Sequence, residues 1–209
     1  MAAPSLRVLQ SFHAIVARGK AIYDSFQELY TDAQSAQGVI DLPPTSWCLA
    51  TGAPLALFAD GSSAVPGLDL TASEALSIRW NNNATLDAVA TSFLVPPDMD
   101  ITANATVVIQ AAKVGATGGD LPTFVVGAFN QVVGALYDAD ANFGGTSGAM
   151  TNAATKTIQS VSRTLALADL AAFPARVTLT LKPTDGTLGT DDLVVLGVRV
   201  VYTKKLLTS

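Results

Sequence analysis

Histidine and cysteine each occur once in these 209 residues, as His13 and Cys48, and glutamate occurs only twice, as Glu28 and Glu74. A single cysteine excludes an internal disulfide framework and any multi-cysteine metal site. The one histidine precedes every expected strand and lacks the further histidines or cysteines that a typical zinc site needs. It reads as an exposed helix residue rather than as the base of a Ser-His or Cys-His device. Charged residues make up only 14% of the chain, with a net charge of −5, and no basic run interleaved with aromatics occurs. That balance speaks against nucleic acid and against an anionic membrane surface as partners. No stretch of about 18 apolar residues is present, so no membrane-spanning helix is expected. Residues Met1 to Arg7 lack the charged and apolar regions of a secretory signal, and synthesis in a cytoplasm is expected.

So few charges would leave an ordinary monomer poorly covered, which suggests that part of the surface faces other subunits. What is abundant is apolar sequence, 49% of the chain. Its first concentration lies between Ser5 and Ala33. There Val8, Phe12, Ile15, Gly19, Ile22, Phe26 and Leu29 alternate in steps of four and three, and Leu9, Val16, Tyr23 and Tyr30 form a second row beside them. The pattern predicts an amphipathic helix of roughly 40 Å that starts near Pro4 or Ser5 and stops by Gly38. Its apolar face is wider than a two-stranded zipper requires, so more than one neighbour is expected. The g positions Ser11, Arg18, Ser25 and Asp32 carry no consistent interchain charge code. The oligomerisation or docking interface is therefore placed on Val8, Leu9, Phe12, Ile15, Val16, Ile22, Tyr23, Phe26, Leu29 and Tyr30. The same face could instead lie on the chain's own β-domain. Residues 1–40 are assigned to this arm and residues 41–209 to a β-domain that opens at the linker Leu42-Pro43-Pro44-Thr45.

Beyond the linker, strands are predicted at Trp47 to Thr51, Leu55 to Ala59, Ala75 to Trp80, Ala88 to Val95, Ala105 to Lys113, Thr123 to Leu136, Thr155 to Thr164, Arg176 to Lys182 and Leu193 to Tyr202. Val177, Leu179 and Leu181 alternate with Thr178, Thr180 and Lys182, as do Leu76, Ile78 and Trp80 with their neighbours. A single helical turn is expected between Leu165 and Phe173. With no long helices between the strands, the fold class is mainly β: an antiparallel β-sandwich, a jelly roll of about eight strands, carrying an N-terminal amphipathic α-helix.

Few residues invite chemistry. Asp138, Asp140 and Asn142 alternate as calcium ligands can, but Phe143 stands where a calcium loop needs glycine and Ala149 where it needs glutamate. Asp98 and Asp100 are a close carboxylate pair, better explained as turn-formers than as an acid and base flanking a bond. Trp47, Trp80, Phe124, Phe129, Tyr137 and Phe143 could include a sugar-stacking platform, with Phe143 in its glycine-rich loop the best exposed candidate. Neither Gly118-Gly119 nor Gly144-Gly145 is followed by the Lys and Ser or Thr of a phosphate loop. No catalytic residue, metal ligand or cofactor is assigned.

The run Trp80-Asn81-Asn82-Asn83, the corner Ser92-Phe93-Leu94-Val95-Pro96-Pro97-Asp98-Met99-Asp100, the strand from Ala105 to Lys113 and the ending Asp191 to Tyr202 resemble the jelly-roll virion proteins of tailed bacteriophages. The resemblance implies a non-enzymatic structural protein of the virion, a capsid cement or decoration protein or the base of a head fibre. Such proteins commonly act as dimers or trimers, and the wide apolar face of the helix puts a homotrimer first and a dimer second; the further partner expected is the major capsid protein or another virion protein. It carries no active site. The alternative is a receptor- or carbohydrate-binding module of a phage fibre or baseplate, whose loops around Phe143 and Asp120 make the contact.

Overall fold

The computed structural model describes residues 18–24, 37–58, 64–70, 75–83, 85–115, 119–133, 142–151, 154–167 and 176–205. Alternation of apolar and polar residues is resolved into eleven strands: β1 (Gln37–Leu42), β2 (Cys48–Leu49), β3 (Gly67–Asp69), β4 (Ser77–Trp80), β5 (Val89–Leu94), β6 (Ala105–Lys113), β7 (Phe124–Gln131), β8 (Gly145–Thr146), β9 (Gln159–Leu165), β10 (Arg176–Pro183) and β11 (Leu193–Thr203). All named pairings are antiparallel. One sheet, here sheet A, runs β3-β4-β11-β6-β9 with β1 added to β11, and the other, sheet B, runs β2-β5-β10-β7-β8. Successive long strands cross from one sheet to the other, which is the jelly-roll arrangement.

Strand β11 organises sheet A. One edge pairs with β6, while the other pairs first with β4 and then with β1. A bulge between Val195 and Gly197 marks the exchange of partners, where an extra residue bends a strand and re-aims its next pairing. Between the sheets lie Ile78, Trp80, Val107, Ile109, Phe124, Val126, Leu179, Leu181, Leu193 and Val200, all essentially buried. Val177, Leu179 and Leu181 face this core as the alternation predicts. Leu76 does not, being 37% exposed, whereas Ile78 and Trp80 are buried. Indole N–H groups inside the fold are satisfied: that of Trp80 donates to Asp87 O at 2.9 Å and that of Trp47 to Leu42 O at 3.3 Å.

Several expectations require correction. The segment ahead of the two prolines is strand β1, so the expected boundary at 40/41 falls inside a paired strand, and Pro44–Ser46 forms a short 3-10 turn. The described part of the strand expected over Leu55 to Ala59, residues 55–58, contributes only an isolated bridge at Leu57, and the sequence pattern does not predict the two short strands β3 and β8. Only 18–24 of the expected long helix falls among the described residues. The turn sought between Leu165 and Phe173 lies mostly outside them.

Gly38 sits opposite Tyr202, and a side chain there would enter the tyrosine ring. The ring folds over the glycine, and its hydroxyl donates to Asp98 Oδ1 at 3.2 Å. Burial and the adjoining Asp98 raise the Tyr202 pKa.

At the other end of sheet A the loops are closed by ion pairs. Lys113, buried, donates to Asp120 O at 2.9 Å and lies 3.4 Å from Asp191 Oδ2. Arg79 bridges Asp69 at 2.9 Å and Asp192 at 2.6 Å, with its guanidinium 4.6 Å from the centre of the Phe58 ring. Asp120 Oδ2 accepts the backbone N–H groups of Thr190 at 2.8 Å and Asp191 at 2.7 Å. Burial pushes the Asp120 pKa up, but the N–H groups of Asp191, Thr190 and Gly189, together with Lys113, outweigh it and leave the pKa lowered.

A carboxylate whose folded pKa is depressed stabilises the fold above its unfolded value, near 3.9, and that stability is lost as pH falls through the folded pKa. Thermal melts should therefore drop in midpoint below about pH 4. Asp120→Asn should be less stable at pH 7, by about 1.5–3 kcal/mol for the weakened hydrogen bonds to a charged group, and should show a flatter acid limb. Asp185, also lowered, leaves a residual slope.

Candidate functional site

Strands β5, β10 and β7 turn every second residue away from the core, and the described outward positions of sheet B form a face of their own. Phe124, Val126 and Ala128 point inward on β7, so Val125, Gly127 and Phe129 point outward. On β10 the outward set is Arg176, Thr178, Thr180 and Lys182, and on β5 it is Ala90, Ser92 and Leu94. Registry then fixes rows across the sheet. Thr178 stands opposite both Phe129 and Ser92, and Asn142 bridges to Phe129 from the far side. At about 4.8 Å between strands, the row Asn142-Phe129-Thr178-Ser92 runs for roughly 14 Å.

Phe129 is the aromatic residue among the described outward positions of this face. A Cβ placed on Gly127 would meet the ring edge of Phe129 at 3.0 Å as well as the Thr180 hydroxyl. The ring therefore leans along the sheet over the glycine and is partly exposed. Beside the row, Ser46, Cys48, Ala90, Thr91, Ser92 and Thr178 line a shallow trough of about 350 Å³. Thr91 Oγ1 donates to Ser46 O at 2.8 Å, tying the short β2 region to β5. At the end of the face, Arg176 Nη1 donates to Ser92 Oγ at 3.3 Å. Lys182 is paired with Asp185 at 2.7 Å. That lysine and the N–H of Leu86 hold the Asp185 carboxyl below its ordinary range.

The outer face of sheet A differs. Thr106, Val108 and Gln110 of β6, Ser160, Ser162 and Thr164 of β9, and Arg199 and Val201 of β11 cover its centre, none of them aromatic, and at the β3–β4 end the Phe58 ring packs against the Arg79 guanidinium. Near the bulge, Ala75, Ala112, Val114, Lys156, Ile158, Val194 and Leu196 line an apolar depression of about 160 Å³.

The residues anticipated for recognition separate sharply. Phe143 is only 8% exposed and belongs to the core, because its N–H pairs with Ala128 O and its side chain turns inward from the glycine-rich loop. Asp120 is buried and bonded to backbone, so neither residue supplies a contact loop. Asp98 and Asp100 are turn-formers: Asp98 accepts from Tyr202, and Asp100 Oδ1 accepts the N–H and hydroxyl of Thr102 at 2.9 and 2.7 Å. Asn142 Oδ1 accepts the N–H groups of Ala128 and Gly144, which builds the turn; Asp138 and Asp140 lie outside the described residues. No group of three or more His, Cys, Asp or Glu residues suited to a metal ion occurs among the described residues. Of the expected interface, Ile22 and Tyr23 are described, and they are 58% and 62% exposed. Val8, Leu9, Phe12, Ile15, Val16, Phe26, Leu29 and Tyr30 lie outside the described residues, as does His13.

No protein-family profile matches the chain, and no curated protein sequence does. Among solved structures, it is similar to a xylan-binding module, CBM15, at 10% identity over 82% of this chain and 100% of that one, with a TM-score of 0.48. It is also similar to the CBM22-1 xylan-binding domain of Paenibacillus barcinonensis Xyn10C, at 9% identity over 82% and 99%, TM-score 0.47. A third likeness is to the K1 cleaved adhesin domain of Lys-gingipain from Porphyromonas gingivalis W83, at 11% over 78% and 97%, TM-score 0.42. Likenesses of this size transfer no ligand to this chain.

Gly127→Ala tests the packing that lays the ring down. The added methyl should displace Phe129 and Thr180 and lower stability by about 1–3 kcal/mol in urea denaturation, as overpacking does. An unchanged midpoint would mean that the ring does not rest on the glycine.

Proposed function

We propose that the chain is a non-enzymatic recognition module that binds glycan on the outer face of sheet B. The observation that carries this reading is the Phe129 ring lying over Gly127, in one row with the Thr178 and Ser92 hydroxyls and beside a hydroxyl-lined trough. A pyranose ring has an apolar C–H face and a rim of hydroxyls. A partly exposed aromatic face receives the first, and Ser, Thr and Asn side chains on a rigid sheet receive the second. Asp98 and Asp100, the close carboxylate pair, accept hydrogen bonds from Tyr202 and Thr102 as turn-formers, which supports binding without turnover. Binding of the full chain to a glycan array should fall at least about tenfold in Phe129→Ala, with the melting temperature measured alongside to confirm folding. Array binding unaffected by that change would sink the reading.

A second reading, a structural subunit of a phage particle, is favoured by a different observation. Ile22 and Tyr23 stand exposed on the helix over 18–24, Gly19 has no described atom within reach of an added side chain, and no described residue fills the apolar depression of sheet A. Surfaces of that kind are covered in assemblies. Sedimentation of the full chain should then give a trimer, or failing that a dimer, which the double change Ile22→Asp with Tyr23→Asp dissociates. A monomer at micromolar concentration before any change would rule out self-association through the helix.

A further inference from the structure

The proposed glycan face carries a sign of charge that the whole chain does not. The protein is net −5, yet none of the described outward side chains on the paired strands of sheet B is a carboxylate. Its two cations differ in state. Lys182 is held by Asp185, whereas Arg176 is exposed and its one hydrogen bond among the described residues is the 3.3 Å contact from Nη1 to Ser92 Oγ. That contact aims the guanidinium, and no described residue engages its Nε and Nη2 edge. A planar fork held in this way matches a carboxylate through two parallel hydrogen bonds, which an ammonium group could not reproduce.

Position completes the case. Arg176 lies two residues along β10 from Thr178, roughly 7 Å from the Phe129-Thr178-Ser92 row and on the same face. It stands opposite Gln131 on β7 and Leu94 on β5, and Leu94 is 69% exposed. A sugar stacked on Phe129 thus places its own substituent, or the next sugar, beside a cation flanked by an amide and an apolar side chain. Resting on the glycan-binding reading above, we infer that the ligand is an acidic saccharide, one whose carboxylate is received by Arg176.

The test uses the full chain and three probes: oligogalacturonate, oligomannuronate and sialyl-lactose, each beside its carboxyl-reduced counterpart. At least one acid form should bind about tenfold or more tightly than its reduced partner, the scale of one charge-assisted hydrogen bond. Arg176→Gln should abolish that preference, Arg176→Lys should keep only part of it, and Phe129→Ala should weaken acid and reduced forms alike. The preference should also shrink with added salt. Equal binding of acid and reduced forms, or a preference that survives Arg176→Gln, overturns the acidic-ligand inference. If binding is confined to neutral glycans and still depends on Phe129, the inference fails while the glycan-binding reading stands. If no glycan binds at all, both fall.

Discussion

Hydrogen bonding along both edges of β11 is the constraint from which sheet A takes its form. A strand of eleven residues presents two rows of backbone groups, and each must find a partner once the strand is buried. β6 takes one row. No single strand takes the other: β4 covers its beginning and β1 its end, and the bulge after Val195 lets the pairing pass from one to the other. Without β1, the last six residues of β11 would be an open edge of the kind that invites unwanted pairing. The polypeptide just before the two prolines is therefore part of the sandwich.

The same strand sets the problem that the charges solve. Its leading loop, Asp185 to Asp192, must fold back over the end of the sandwich, where backbone donors would otherwise be buried unpaired. Asp120 receives two of them, Lys113 neutralises the acidic groups gathered there, and Arg79 ties Asp192 to Asp69. Buried charge is tolerated because each group is answered by an opposite charge or by several donors. A chain so poor in charge thus concentrates part of it where it closes loops, and the described face of sheet B carries hydroxyls and one guanidinium that no described carboxylate pairs.

Much of the fold is legible in the sequence where the signal is local. β6 occupies the stretch its β-branched run predicts, and β10 alternates as Val177, Leu179 and Leu181 require. What is not legible is what depends on distant partners. Gly38-Val39-Ile40 reads as the end of a helical arm, and becomes a strand only because β11 offers it an edge. Phe143 reads as exposed because it sits among glycines, yet the close approach of those glycines to β7 is what carries the ring into the core. For the candidate site, alternation groups Val125, Gly127 and Phe129. It cannot say which side of β7 faces out, since both sides are apolar or small. The only early sign is a glycine two residues before an aromatic one, which leaves room for the ring to lie flat.

The pairing of Gln37 with Thr203 has a mechanical meaning. The chain enters the sandwich through β1 and leaves it through β11 at the same end, in two antiparallel strands held by six registered pairs. A pull between the entering and leaving segments would load these pairs one after another from Gln37–Thr203 inward, as a zipper opens, instead of sharing the load among them. The second pair met by such a pull is Gly38–Tyr202, where the tyrosine ring lies over the glycine and is anchored to the Asp98 corner. One pair inside the point at which the strands would begin to peel, a side chain thus fastens them to a third segment.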